Sequence, residues 1–233
     1  MKILAIPDVH QTSYWKEVIQ EIDNFDYIIQ LGDWFDNWNT DWVNSDPIQN
    51  FQDAVDFSRM NPKFKICLGN HDISYLLKSH CSGYQFTHSV DIKEVLLKNI
   101  DYVNIAYEFD EWVFSHAGIT KNWMKNHNFT SIQDINDALH RRDFEVFQFD
   151  GWDMYGDDIS QGPTWVRPYS LFINAAYKYQ VVGHTEMKES PYICTKEKFP
   201  TTNESIPGQK IIIIDDAEHT CMYELDTQLE KQI

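Results

Sequence analysis

The sequence has few basic residues. Its 233 residues include 19 lysines and arginines against 36 aspartates and glutamates, which gives a formal net charge of −17. A protein that binds nucleic acid through the phosphate backbone needs a basic footprint, so this deficit argues against a nucleic-acid partner. It does not exclude a phosphate-containing substrate, because bound metal ions can reverse the sign of the local field.

Cysteines and long apolar runs are also scarce. The four cysteines are scattered and form no C-x-x-C pair, so we expect reduced thiols. The N-terminal apolar run, Ile3 to Ile6, is too short for a signal peptide. No run approaches the ~18 apolar residues that a membrane span requires. The sequence therefore predicts a cytoplasmic protein with no membrane partner.

Hydrophobic residues nevertheless make up 42% of the chain and aromatic residues 15%, enough for a sizeable core. The chain shows no internal repeat and no long linker, so we expect a single domain over residues 1–233. Helical patterns alternate with short apolar runs, which predicts an α/β fold. The predicted helices cover roughly residues 14–22, 47–60, 90–99, 131–142 and 168–178. The predicted strands cover 2–7, 27–31, 64–68, 112–114, 179–182, 211–214 and 221–225.

Several of these apolar runs end within a residue or two of an Asp, Asn or His, usually beside a glycine. In layered α/β folds ligands bind at the carboxyl ends of the strands, where loops converge. Carboxylate and imidazole ligands suit divalent manganese, iron or zinc. On an extended segment, Asp8 and His10 would lie on one face, and the Asp33 carboxylate could bridge two cations. The chemistry-bearing side chains at these ends are Asp8, His10, Asp33, Asn70, His71, His116 and His184.

These motifs, taken in order, resemble those of a known family. The set is Asp8-x-His10, Gly32-Asp33-x-x-Asp36, Gly69-Asn70-His71-Asp72, His116-Ala117-Gly118 and Gly183-His184-Thr185. Each motif alone is weak, but together they resemble the calcineurin-like metallophosphoesterases, closest to the phosphoprotein-phosphatase branch with its bacterial and phage serine/threonine phosphatases. The resemblance implies an enzyme, a phosphoric ester hydrolase. It also implies a four-layer α/β/β/α sandwich with a dinuclear metal site at the strand ends.

Carried over position by position, the resemblance implies a role for each motif residue. Metal one takes Asp8, His10 and Asp33, and metal two takes Asp33, Asn70, His116 and His184. His71 resembles the family's general acid and Asp36 the carboxylate that orients it, while Asn70 also contacts the substrate. The two ions are expected to be manganese, with iron, zinc and nickel as alternatives. Two divalent ions bring +4 and two aspartates remove 2, so a site of about +2 suits a phosphate dianion on an acidic protein.

The implied reaction is attack of a metal-bridging hydroxide on a phosphomonoester, either phosphoserine or phosphothreonine in a protein or a small phosphorylated molecule. Hydrolysis of phosphodiesters or nucleic acids, and hydrolysis of dinucleoside polyphosphates, stay open as alternatives on the same site. A third alternative is a non-catalytic member that keeps the fold as a binding scaffold. The complete set of ligand residues favours an enzyme over a scaffold.

The chain also departs from the family pattern. Gln11 stands where a glycine usually follows the histidine, and Asn37-Trp38 replaces an Arg-Gly pair, so one phosphate-binding arginine is missing. Arg167, in a Trp-x-Arg segment similar to that of bacterial and phage members, is the expected remaining phosphate ligand; a surface salt bridge is the alternative. Glu186 stands where other branches have a metal-binding histidine, and could itself reach a metal.

Three further patterns remain ambiguous. Trp34, Trp38 and Trp42 are spaced like one helical face, which fits either core packing or an aromatic wall beside the leaving group. The acidic stretch 143–158 fits either a solvated loop or a surface that selects a basic partner. Residues 186–208 are predicted to form a surface excursion. The sequence leaves the physiological substrate and the oligomeric state open.

Overall fold

A computed structural model describes residues 1–38, 46–194, 206–216 and 221–229. In these ranges the strands are β1 (Lys2–Ile6), β2 (Tyr27–Gln30), β3 (Phe64–Ile66), β4 (Ala106–Phe109), β5 (Trp112–Ser115), β6 (Tyr179–Val182), β7 (Tyr192–Cys194), β8 (Lys210–Ile213) and β9 (Tyr223–Asp226). The helices are α1 (Trp15–Val18), α2 (Pro47–Met60), α3 (Asn70–Ile73), α4 (Ser89–Asn99), α5 (Lys121–Asn126), α6 (Ile132–His140) and α7 (Pro168–Asn174).

The strands form two sheets. The first has the order β3-β2-β1-β9, in which β1, β2 and β3 are parallel and β9 runs antiparallel beside β1. The second has the order β4-β5-β6-β8-β7, with β5, β6 and β8 parallel and an antiparallel strand at each edge. The parallel strands of each sheet end at a common edge, where their following loops can meet.

Alternating side chains build the layers. In β1, Ile3 and Ala5 enter a buried cluster shared by both sheets, whereas Leu4 and Ile6 enter a second cluster with residues of α2 and α4. On the other sheet, Ile212 faces the shared cluster, and its neighbours Ile211 and Ile213 pack against α7. Because alternate side chains of a strand point to opposite faces, each sheet packs against the other sheet on one face and against helices on the other. The layers are therefore helices, sheet, sheet and helices. The predicted four-layer fold is confirmed.

Several predicted elements differ from the structure. The helix predicted over 14–22 is the single turn α1 followed by a 3₁₀ helix at Ile19–Asn24, and the one over 168–178 ends at Asn174. The short elements α3, α5, β4 and β7 were not predicted, because three to six residues carry too little periodicity. The excursion predicted over 186–208 contains β7, which pairs with β8; residues 195–205 lie outside the described ranges.

The helical interpretation of the tryptophan spacing is wrong. Residues 31–38 form no helix, and Asp33 and Asp36 have left-handed backbone, with φ of 54° and 65°. Trp34 is buried against Trp15 and Phe51, so it belongs to the core. Trp42 lies outside the described residues.

Two expectations from the composition concern the cysteines and membrane-spanning helices. All four cysteines are free thiols in the structure, as predicted. No helix in the described part of the chain is long and apolar enough to cross a bilayer.

The acidic stretch 143–158 contains a 3₁₀ helix at Phe144–Phe147, and its aspartates cap their own loop. Asp153 accepts from the amides of Tyr155 and Asp157, which favours the solvated-loop interpretation.

Candidate active site

The strand ends of both sheets converge on one cavity of about 660 Å³. Asp8 and His10 follow β1, Asp33 follows β2, and Asn70 and His71 follow β3 as the first turn of α3. His116 and His184 follow β5 and β6 of the second sheet. Six of these seven residues line the cavity, while His116 is fully buried beneath it. The structure thus brings together every metal ligand predicted from the sequence.

The first ligand group consists of Asp8, His10 and Asp33, whose ligand atoms lie within 4.8 Å of one another. The Nε2 atom of His10 lies 3.9 Å from Asp8 Oδ2 and 3.8 Å from Asp33 Oδ2. The other ring nitrogen, Nδ1, donates to the backbone carbonyl of Asp36 at 2.9 Å. Because that carbonyl can only accept, the neutral ring directs its Nε2 lone pair towards the two carboxylates. A cation between them would remove this repulsion.

In the second ligand group the candidate ligand atoms lie closer together than in the first. His116 Nε2 lies 3.3 Å from Asp33 Oδ2, 2.9 Å from Asn70 Oδ1 and 3.0 Å from His184 Nδ1. His116 Nδ1 donates to the Leu31 carbonyl and His184 Nε2 to the Trp165 carbonyl. In the neutral tautomers set by these carbonyls, two imidazole lone pairs and two oxygens converge. Such a donor set fits a divalent metal ion of the borderline type.

The protonation of these groups agrees with metal binding. Burial lowers the pKa of His116 and that of His184 well below the ordinary value, so both rings are neutral and available as ligands. Burial, with neighbouring carboxylates, raises the pKa of Asp8 and that of Asp33 well above the ordinary value. Packing several buried carboxylates together without a cation is costly, and two divalent ions would relieve that cost.

Asp33 belongs to both groups through one oxygen. Its Oδ2 faces His10 on one side and His116 on the other, while its Oδ1 accepts from the backbone amide of His71 at 2.9 Å. Gly69 makes room for this carboxylate, because a Cβ there would lie 2.1 Å from Asp33 Oδ1. The geometry therefore supports the predicted bridging position of Asp33.

Left-handed backbone is concentrated at this site. His10, Asp33, Asp36 and His184 all have φ between 41° and 65°. Each such non-glycine residue costs of order 1–3 kcal/mol, which the surrounding structure must offset. The extended geometry expected for Asp8-x-His10 is wrong. A turn, and not a strand, brings the two side chains together.

His71 and Asp36 form a pair beside the ligand groups. His71 Nδ1 lies 2.9 Å from Asp36 Oδ2, which leaves Nε2 as the ring nitrogen opposite that contact. Burial raises the pKa of Asp36 to about 7. Tyr75, which the sequence analysis missed, donates its hydroxyl to Asp36 Oδ1 and accepts from the Gln85 amide at 2.9 Å. Nothing in the sequence pairs a tyrosine 39 positions away with Asp36.

Asp72 is a second missed residue. Its fully buried carboxylate accepts from the amides of Gly69, Asp33 and Trp34 at 2.8–2.9 Å, and from that of Phe35 at 3.3 Å. It thereby fixes the loop after β2 against the loop after β3, and so sets the position of Asp33 relative to Asn70. The motif contains Asp72, but these partners become visible only in three dimensions.

Arg167, the predicted phosphate ligand, lies on the cavity wall. Its guanidinium donates to the His184 carbonyl and the Thr185 hydroxyl, both at 3.1 Å, and to the Tyr155 carbonyl at 2.9 Å. All these acceptors are neutral oxygens, which supports an anion-binding role over the salt-bridge alternative. Glu186 is exposed on the same wall and belongs to neither ligand group.

Asp215 and Trp38 also line the cavity. Asp215 is 1% exposed and follows β8, and its charge raises the pKa of Asp8. The apolar run 211–214 followed by Asp215 is the same strand-end signal as at the other sites, so the sequence contained this indication.

Trp38 packs edge-on against His10 and His71, with ring centroids 5.1 and 5.0 Å apart. Of the two ambiguous tryptophans described, Trp38 is therefore the one beside the site.

The fold places a cluster of candidate metal ligands at the strand ends of two packed sheets. Residues 1–188 match the sequence profile of the calcineurin-like phosphoesterases, and the chain belongs to that family. The protein is therefore a hydrolase that acts on phosphoester bonds, as predicted. The family generally binds divalent metal ions, and the two ligand groups fit that property.

Two solved structures of protein tyrosine phosphatases share the fold. A cold-active protein tyrosine phosphatase superposes with a TM-score of 0.61 at 16% identity, over 97% of this chain and 73% of that chain. The corresponding enzyme of the psychrophile Shewanella sp. gives 0.61 at 17% identity, over 97% and 75%. A metallophosphoesterase from Sphaerobacter thermophilus gives 0.49 at 16% identity, over 91% and 75%. No curated protein sequence matches the chain significantly.

Proposed function

We propose that the protein is a dinuclear metal-dependent phosphatase that hydrolyses phosphomonoesters, either phosphoserine or phosphothreonine in a protein or a small phosphorylated molecule. One observation carries the proposal: Asp33 Oδ2 faces two ligand groups at once, and the His71–Asp36 pair lies beside them. One ion would be held by Asp8, His10 and Asp33, and the other by Asp33, Asn70, His116 and His184. We propose manganese for both ions, from the mixed carboxylate, amide and imidazole ligands.

When bound, two divalent ions would supply Lewis-acid activation of water and neutralise the phosphate charge. The chain's own residues have distinct roles in the proposal. In the imidazolium form of His71, Asp36 accepts from Nδ1 and holds the ring, and Nε2 donates its proton to the leaving-group oxygen, which leaves a neutral ring. Arg167 binds a phosphate oxygen with a charge-assisted hydrogen bond, and the Asn70 amide helps to orient the same group.

The lining of the cavity favours monoesters over the alternatives. Arg167 is the one lysine or arginine among the described residues that line it, and Asp215 and Glu186 are acidic. A dinucleoside polyphosphate or a nucleic acid brings further phosphates, for which the described walls offer no second cationic side chain. A single phosphate matches one arginine and a metal pair.

Two wider proposals accompany this function. We propose that residues 1–233 form one domain, which is supported by the pairing of β9, near the end of the chain, with β1. We propose a cytoplasmic location, which is supported by the four free thiols.

The direct test uses a panel of substrates. Protein stripped of metal with a chelator is assayed with phosphopeptides, small phosphomonoesters, a phosphodiester and a dinucleoside polyphosphate, before and after addition of manganese, nickel, zinc or magnesium. We expect metal-dependent release of inorganic phosphate, with kcat/KM highest on monoesters. A higher kcat/KM on the diester or on the polyphosphate would replace the proposal with that activity.

A further inference from the structure

Trp38 has an unusual position for a tryptophan. Its side chain is 56% exposed, whereas Trp34, four residues earlier, is 1% exposed in the core. Trp38 nevertheless lies at a defined place, edge-on to His10 at 64° and to His71 at 90°. It also lines the cavity. An exposed aromatic ring packed against the groups at the reaction centre is available to a ligand.

The other side of the ring is fixed by the loop that contains Gly83. A Cβ at Gly83 would lie 2.9 Å from both Cε2 and Nε1 of Trp38, so glycine is needed for the indole to pack there. The ring is therefore held between this loop and the two imidazoles. A ring held in this way loses little conformational freedom when a ligand binds.

The position of His71 relates Trp38 to the leaving group. If Nδ1 of His71 is occupied by Asp36, the proton for the leaving group comes from Nε2, so the leaving-group oxygen must lie beside this ring. The indole centroid is 5.0 Å from the His71 centroid. Because the two rings pack against each other, an aromatic ring attached to that oxygen can reach the indole.

Besides its polar residues, the cavity lining offers apolar side chains that an aromatic leaving group can contact. Ile73 and Leu77 line the cavity together with Trp38, and Phe149 and Met154 line it as well. A flat apolar ring can bury area against such walls and pack on the indole in an offset or edge-on manner. A cavity of about 660 Å³ has room for a phosphate and an aromatic ring.

We propose that the site is specific for aryl monophosphates and that Trp38 is the specificity-determining residue, which contacts the aromatic ring of the leaving group. This inference rests on the proposed phosphomonoesterase activity. For a protein substrate it places the phosphate on tyrosine in place of serine or threonine, and for a small molecule it narrows the class to phenolic phosphates. Tyrosyl phosphate in a polypeptide and free phenolic phosphates share this chemistry, and the experiment distinguishes the two sources.

The experiment compares leaving groups across variants. Wild type, Trp38→Leu and Trp38→Phe are assayed with two phosphopeptides of one sequence that carry phosphotyrosine or phosphoserine, and with phenyl phosphate and a small alkyl phosphate. Aryl esters are intrinsically more reactive, so the quantity of interest is the change in the aryl-to-alkyl ratio of kcat/KM between proteins. Trp152→Leu, which alters a side chain 89% exposed, is the control.

We expect Trp38→Leu to lower kcat/KM on both aryl substrates about 10-fold, mainly through KM, with less than about 3-fold loss on the alkyl substrates. Trp38→Phe keeps most of the aryl preference, and Trp152→Leu leaves the ratio unchanged. A wild-type preference for the phosphotyrosine peptide over phenyl phosphate identifies a polypeptide source, and the reverse identifies a small phenolic one. Equal losses on aryl and alkyl substrates, or no loss on either, would overturn the proposal.

Calorimetry with metal-loaded protein gives a readout that needs no turnover. We expect Trp38→Leu to weaken binding of phenylphosphonate about 10-fold and to leave methylphosphonate binding unchanged. Unchanged binding of phenylphosphonate would contradict the role of Trp38 while leaving the phosphatase intact. A wild-type protein that hydrolyses no ester with any metal would instead refute the proposed function.

Discussion

His71 Nδ1 lies 2.9 Å from Asp36 Oδ2, and this contact orients a histidine that follows a proposed metal ligand but is not itself in either ligand group. The arrangement separates two tasks that adjacent residues perform. Asn70 contributes an oxygen to the ligand cluster, and His71 presents a ring nitrogen to the cavity. The Tyr75 hydroxyl donates to the other oxygen of Asp36, Oδ1, and itself accepts from the Gln85 amide.

The first prediction concerns this pair. His71→Asn removes the acid but no ligand, so metal content should stay unchanged while turnover falls about 10²-fold or more on alkyl phosphates. An activated aryl phosphate barely needs a proton on its leaving group, so its loss should be much smaller. Asp36→Asn should give the same pattern in weaker form. Steady-state kinetics with metal analysis checks both variants.

Two outcomes would revise the role of His71. Equal losses on alkyl and activated aryl phosphates, with both metals retained, would make it a phosphate-binding residue. Loss of a metal ion in His71→Asn would make it a ligand.

The second prediction concerns Arg167. Its guanidinium is held by carbonyl and hydroxyl oxygens and faces a cavity with acidic neighbours. Arg167→Ala should raise KM for phosphomonoesters about 10-fold or more, because a charge-assisted contact to phosphate is lost. Arg167→Lys should recover only part of the loss, since lysine cannot donate in the same planar geometry. Unchanged kinetics in Arg167→Ala would reject the assignment.

The third prediction concerns pH and metal removal. Burial raises the pKa of Asp36 and that of Asp72 to about 7, so in the metal-free protein the folded state holds these protons where the unfolded state has released them. The free energy of unfolding then falls as pH rises from the unfolded pKa of these carboxyls towards about 7. The buried His116 and His184 oppose this loss of stability only below their unfolded pKa of 6.5, because above that pH both rings are neutral in the folded and the unfolded state. Between about pH 6.5 and 8 the metal-free protein should lose stability with rising pH.

Thermal melting of metal-free and manganese-loaded protein checks this. The loaded protein should show a smaller loss, because bound cations stabilise the carboxylates in charged form. The difference in Tm between the two forms should therefore widen with pH. A difference that narrows over this interval would contradict the carboxylate account.

Much of the site could be predicted from the sequence because its signals are local. Asp8, Asp33 and His184 each follow a short apolar run, and parallel strands end at one edge of a sheet. Asp72 and Tyr75 could not be assigned in this way, since their partners come from a loop more than thirty residues away.

The local spacing of residues gave a wrong prediction of backbone conformation at two places. The spacing of Trp34 and Trp38 suggests a helix, but a loop with left-handed residues separates a core side chain from a cavity side chain. The i, i+2 spacing of Asp8 and His10 suggests a strand, but a turn whose backbone amides donate to the Asp33 carbonyl brings them together. In both places long-range hydrogen bonds outweigh the preference of the local sequence.

The central claim is that one carboxylate, Asp33, joins two metal ions. The most direct measurement is electron paramagnetic resonance of protein titrated with manganese, combined with elemental analysis of the bound ions. The account predicts two manganese ions per chain at about 3.5–4 Å, whose spectra show spin coupling, and loss of that coupling in Asp33→Asn. One ion per chain, or two uncoupled ions in the wild-type protein, would contradict it.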